Sequence, residues 1–109
     1  MPVKPPESNT LRRELASIVG EDFVLTSMPD RLAYNADCWP RGIILSRGRQ
    51  LHRHRPAAIV QPRNEHEVLG VVQWARKTST PIVPYGAGSG VCGGTLADHD
   101  GVVVYLKRL

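Results

Sequence analysis

The spacing of apolar positions divides the chain into a helical start, an aperiodic middle and a strand-rich second half. Leu11, Leu15, Ile18 and Val19 recur at i, i+4, i+7 and i+8, which is one face of a helix beginning near Thr10. Asn9 or Thr10 can cap that helix, and Gly20 suits a left-handed residue at its end. Arg12, Arg13 and Glu14 then fall on the wet face. Residues 21–55 keep no clean period. A short extended piece is expected around Phe23–Leu25. The stretch DRLAYNADCWP opens with a helical turn that Pro40 stops, and 35–55 reads mostly as loop. A loop of that length is uncommon inside a compact domain and is usually functional or a linker.

After Pro56 the pattern sharpens. Ala57–Val60 is a short apolar strand between prolines. Asn64 stands three residues before Glu67, a capping-box spacing, and opens a helix to about Lys77 with Val68, Val71, Val72 and Ala75 inward and Trp74 in the core or at an interface. Pro81–Pro84 is a second strand and Gly101–Leu106 a third. Strand, helix, strand within so few residues is a βαβ unit with its first two strands parallel. Strands this continuously apolar belong to a sheet covered on both faces. The fold class is therefore α/β (α+β). A mobile tail is expected over 1–9, a helix and basic loop over 10–55, and the βαβ lobe over 56–109.

Composition narrows the class. With 109 residues, 41% hydrophobic and 22% charged, the chain can bury a core. It has no apolar run of membrane-spanning length and no secretory h-region at its start. Its two cysteines, Cys38 and Cys92, are too few for a disulfide scaffold, so a cytoplasmic protein with reduced thiols is expected. The net charge of +4 is local. Residues 41–55 carry Arg41, Arg47, Arg49, Arg53 and Arg55 with no acid, while nine basic residues face ten acids elsewhere. A nucleic-acid binder is more broadly basic.

The candidate chemistry lies between the last two strands, in Pro84-Tyr85-Gly86-Ala87-Gly88-Ser89-Gly90-Val91-Cys92-Gly93-Gly94-Thr95. This run holds five of the ten glycines. Glycine permits positive φ and lets backbone N–H groups approach a ligand closely. Successive inward N–H groups make an anion nest, and open α/β sheets place ligands beyond the strand C-termini. A phosphate or diphosphate is the natural guest. Gly88, Gly90 and Gly93 satisfy G-x-G-x-x-G, but the six residues from Leu96 to Gly101 are too few for the helix that a dinucleotide fingerprint opens. Gly88, Gly93 and Thr95 fit a P-loop whose lysine position is Gly94, so the charge partner of the phosphates is missing. The bland alternative is a flexible turn, against which stands its place between two apolar strands.

RPAAIVQPRNEHEV, PIVPYGAGSGVCGG and GVVVYLKRL, in that order, resemble the FAD-linked oxidases of the vanillyl-alcohol oxidase/PCMH superfamily. The nearest branch is that of glycolate oxidase, D-lactate dehydrogenase and alkyl-dihydroxyacetonephosphate synthase. The likeness is strong over Arg55–Leu109 and looser over the N-terminal helix and Tyr34-Asn35-Ala36-Asp37. It implies the first lobe of a two-lobed PCMH-type FAD-binding domain. Pro84, Tyr85, Gly86, Ala87, Gly88, Ser89 and Gly90 would then wrap the FAD pyrophosphate, with Ser89 adding a hydroxyl and Tyr85 packing against the cofactor or, the favoured reading, against the sheet. Some relatives attach flavin through a histidine in this loop. The matching position here is Gly88, which implies noncovalent FAD, and His99 is too far along to replace it. The same resemblance implies a small 2-hydroxy acid or similar substrate. The second FAD lobe and the substrate domain would lie beyond Leu109 or on another chain. The chain alone is expected to lack turnover, and an open edge on its third strand supports reading it as part of a longer enzyme.

The remaining candidates read more plainly. His52 and His54 form an HxH pair, but their arginine neighbours oppose a cation, and a solvated loop is the simpler reading. The Arg41–Arg55 segment lacks interleaved aromatics and reads as a basic surface. Cys38 reads as a packed loop thiol and Cys92 as a small residue beside the cofactor. Asp98, His99 and Asp100 form a polar turn. No catalytic residue can be named. The competing function is a noncatalytic module that binds phosphate or nucleic acid through the glycine loop and Arg41–Arg55.

Overall fold

The computed structural model describes residues 8–36, 38–48, 55–90, 94 and 100–109. Among these residues, four helices and four strands form one α/β layer structure. In chain order they are α1 (Ser8–Val19), β1 (Val24–Leu25), α2 (Met28–Ala33), α3 (Pro40–Arg47), β2 (Ala58–Val60), α4 (Glu65–Thr78), β3 (Ile82–Tyr85) and β4 (Val102–Tyr105), with short 3-10 turns at Glu21–Phe23 and Leu106–Arg108.

The sheet runs β1-β2-β4-β3. β1 pairs antiparallel with β2, while β2 and β3 each pair parallel with β4. The expected parallel relation of the two strands flanking α4 holds, but β4 lies between them. The third strand is therefore central, flanked on both sides, and the outer position falls to β3. This corrects the expectation of an open edge on the third strand. The continuous run Val102-Val103-Val104 suits a central position, where both faces are covered.

One face packs on α1 and α4. Leu11, Leu15 and Val19 from α1 meet Val71, Trp74 and Ala75 from α4 over Ala58, Val60, Val102 and Val104. Burying a valine or leucine contributes about 1.5–3 kcal/mol, so residues before and after position 56 share one core. Ile59 and Val103 point to the other face, where Leu25, Tyr34, Val83, Tyr85 and Tyr105 cover them.

Several local expectations change. α1 begins at Ser8, so Asn9 and Thr10 lie inside the helix, and the tail positions 1–7 fall outside the described residues. Gly20 has the positive φ of 96°, but with ψ of 148° it is not in the left-handed helical region. Glu14 leaves the wet face and accepts a 2.6 Å hydrogen bond from Trp74 Nε1, tying α1 to α4. On α4, Val72 is exposed, and the inward residues are Val71, Trp74 and Ala75. The cap is as expected: Glu67 N donates to Asn64 Oδ1 at 2.9 Å, and the Glu67 carboxylate returns to the Arg63 amide.

The aperiodic middle holds more helix than its pattern suggests. α3 starts at Pro40 rather than ending there. Proline lacks an N–H, and the first turn of a helix has no use for one. Ile43 and Ile44 of α3 are exposed, so no inward stripe marks the helix in the sequence. At the other end of the chain, the Arg108 guanidinium stacks 3.3 Å over the Phe23 ring and donates to Gln61 O, closing the turn after β4 against β1.

Candidate functional site

The glycine loop leaves the C-terminal end of β3. Gly86, Ala87, Ser89 and Gly90 are exposed and Gly88 is half-buried. Only Gly88 of these has positive φ, 68°. A Cβ at Gly86 would meet nothing within 4 Å, so the space beside its backbone is open.

A strap formed by Tyr34, Asn35, Ala36 and Cys38 supports the loop. The Tyr85 hydroxyl donates to Ala36 O at 3.2 Å. The Cys38 amide donates to Gly90 O at 2.8 Å, and the Cys38 thiol lies 3.8 Å from Gly88 O. The loop thus turns the carbonyls of Gly88 and Gly90 toward the strap. Among the described residues, no group accepts a hydrogen bond from the amides of Ala87, Gly88, Ser89 or Gly90. Exposed amides with spare donor capacity, beside a backbone that a ligand can approach, fit the pyrophosphate of FAD.

Under the loop, three tyrosines meet. The ring centroids are 5.5 Å apart for Tyr34 and Tyr85, 4.7 Å for Tyr34 and Tyr105, and 5.7 Å for Tyr85 and Tyr105. Tyr85 therefore packs on the sheet, as expected. The Tyr34 hydroxyl is held above its ordinary pKa by burial first, then by Tyr105, the Asp30 carboxylate, a hydrogen bond with Tyr105, and Tyr85. The sequence reading missed this cluster. Its signal was three tyrosines near the ends of separate elements, which only the β3–β4 pairing of Tyr85 with Tyr105 brings together.

Of the other candidates, Cys38 is exposed rather than packed and touches the loop. Asp37, Arg49, His52, Arg53, His54, Val91, Cys92, Gly93, Thr95, Asp98 and His99 lie outside the described residues. Among the described residues no cluster of histidine, cysteine and carboxylates could hold a metal, and no helix is long and apolar enough to cross a membrane. A cleft of about 410 Å³ lies at the opposite, N-terminal end of the parallel strands, beside Ala57 and Asp100. Its cations are engaged within the fold. Arg12 donates to Thr26 Oγ1 and Arg31 to Pro56 O. The glycine loop, whose amides from Ala87 to Gly90 have no acceptor among the described residues, remains the candidate ligand site.

Comparison with known proteins identifies the family. Residues 56–109 match the FAD binding domain family. The chain is 27% identical over 99 residues to glycolate oxidase subunit GlcD of Bacillus subtilis (strain 168), which covers 91% of this chain and 19% of that protein. Its fold resembles that of an alkyldihydroxyacetonephosphate synthase, with TM-score 0.83 and 24% identity over 99% of this chain and 22% of the other. It also resembles p-cresol methylhydroxylase, with TM-score 0.71 and 23% identity over 97% of this chain and 19% of the other. At those identities the two structures speak to fold alone. The chain spans about a fifth of the length of these proteins. The chain belongs, through residues 56–109, to the FAD-binding domain family.

Proposed function

We propose that this chain forms the first lobe of a noncovalent FAD site in a flavin-dependent oxidoreductase acting on a small 2-hydroxy acid or a similar substrate. The observation that carries the reading is the strap-supported loop whose amides, from Ala87 to Gly90, have no acceptor among the described residues. Pro84 ends the apolar part of β3 and Tyr85 props the loop. Gly86, Ala87, Gly88 and Gly90 present backbone to the pyrophosphate, and Ser89 adds a hydroxyl. FAD, when bound, supplies the hydride acceptor, and the protein supplies its placement. Similarity to glycolate oxidase supports the substrate class. A second FAD lobe and a substrate domain, outside these 109 residues, would complete the pocket, and the chain alone would lack turnover.

An amide NMR titration of the purified chain with FAD tests this, with AMP and a short RNA as controls. The expected result is saturable, salt-tolerant shifts centred on Tyr85–Gly90 that Gly88→Val removes. Absence of loop shifts at about millimolar FAD, which would half-saturate a site with a Kd near 1 mM, overturns it. Salt-sensitive RNA shifts confined to Arg41 and Arg47 would instead favour the noncatalytic module.

A further inference from the structure

We propose that Tyr85 is the positioning residue of the FAD loop, acting through the strap rather than by touching the cofactor; the inference rests on the FAD reading above. Three observations converge on it. The Tyr85 hydroxyl donates to Ala36 O, two residues before the Cys38 amide that holds Gly90 O. The Tyr85 ring lies beneath Gly88, so close that a Cβ there would overlap the hydroxyl. The same ring is clamped edge-on by Tyr34, the first residue of the strap, and by Tyr105 of β4.

Tyr85 is thus the joint between a rigid element and two irregular segments. Its backbone is the last residue of β3, in register with Tyr105. Its side chain reaches the strap, and the strap in turn engages the carbonyls of Gly88 and Gly90. An amide and the carbonyl preceding it point in opposite directions across a peptide plane. Fixing the Gly88 carbonyl toward the strap therefore turns the Ser89 amide away from it, toward the open side. Losing the Tyr85 hydroxyl frees the strap at Ala36, and the loop must then be ordered at the moment of binding. A ligand that meets an unordered site binds more weakly by the fraction of time the competent shape is populated.

The test uses Tyr85→Phe, which keeps the ring and removes only the hydroxyl. FAD affinity is read by titration, and amide hydrogen exchange is read without ligand. The expected result is a loss in FAD affinity of about five- to tenfold, the size of one neutral hydrogen bond. With it should come faster exchange at Cys38 and unchanged exchange in β4. A purely structural role would instead speed exchange throughout β3 and β4, and that outcome overturns the proposal. So does Tyr85→Phe with unchanged Cys38 exchange. If the unmodified chain fails to bind FAD, the cofactor reading falls on its own. The exchange arm still decides whether Tyr85 orders the loop through the strap.

Discussion

A side chain at Gly88 would collide with Tyr85: its Cβ would overlap the phenol oxygen and stand 2.7 Å from the ring carbon that bears it, while Gly88 itself holds φ at 68°. Two independent constraints therefore select glycine, one conformational and one steric. Gly88→Ala is expected to cost about 2 kcal/mol, combining left-handed backbone strain with displacement of the ring. In a Tyr85→Ala background only the backbone part remains, so the cost should fall to about 1 kcal/mol. Chemical denaturation of the four proteins of this cycle gives the coupling directly, and additive costs would show that the ring is not the obstacle. The same collision applies to a histidine at this position, which is consistent with the proposed noncovalent cofactor.

Gly86 and Gly101 separate ligand approach from folding. A Cβ on Gly86 meets open space, and its φ is not positive, so Gly86→Ala should leave stability within about 0.5 kcal/mol of the parent. It should nevertheless weaken FAD binding, because on the proposed reading the cofactor approaches through that open space. At Gly101 a Cβ would sit 2.7 Å from Pro81 O, the carbonyl that accepts from the Val102 amide where β3 meets β4. Backbone cannot swing aside as a side chain does. Gly101→Ala is expected to cost about 2 kcal/mol through this overpacking. Thermal melts and FAD titrations of the two variants should give opposite patterns.

The Glu14–Trp74 hydrogen bond is a polar contact joining the two helices over the core. Glu14→Ala leaves a largely buried indole N–H without this acceptor and should cost about 1–3 kcal/mol. Glu14→Gln keeps an acceptor oxygen and should recover most of that loss. If the alanine and glutamine variants unfold at the same denaturant concentration, the hydrogen bond is not what stabilises the pair.

The second half of the fold was legible because its elements are local. The Asn64–Glu67 cap, the α4 core face at Val71 and Ala75, and the three apolar strands each carry their own periodic or capping signal. The loop's likeness to FAD-binding sequences was equally direct. α3 was not legible, because its isoleucines face outward and the proline that looks like a stop serves as its first residue. The central place of β4 was not legible either, since chain order says nothing of which parallel strand goes between the others. The strap is the most consequential omission. It depends on hydrogen bonds between positions about fifty residues apart, Ala36 with Tyr85 and Cys38 with Gly90, for which a single sequence has no pattern.

Tyr34 links this region to pH. Burial, the neighbouring Tyr105, the Asp30 carboxylate and Tyr85 all disfavour its phenolate, so its native pKa stands above the ordinary value of 10.0. The folded state therefore holds the Tyr34 proton more tightly than the unfolded state does. Stability from this group is complete below pH 10.0 and is lost as pH rises through the higher native value. Tyr34→Phe removes the titrating hydroxyl while keeping the ring against Tyr85 and Tyr105. Unfolding midpoints measured from pH 8 to about 11 should fall more steeply for the parent than for Tyr34→Phe, with groups remote from Tyr34 cancelling in the difference. Parallel curves would mean that the Tyr34 proton is held no more tightly in the fold than outside it. A steeper fall in the variant would reverse the sign argued here.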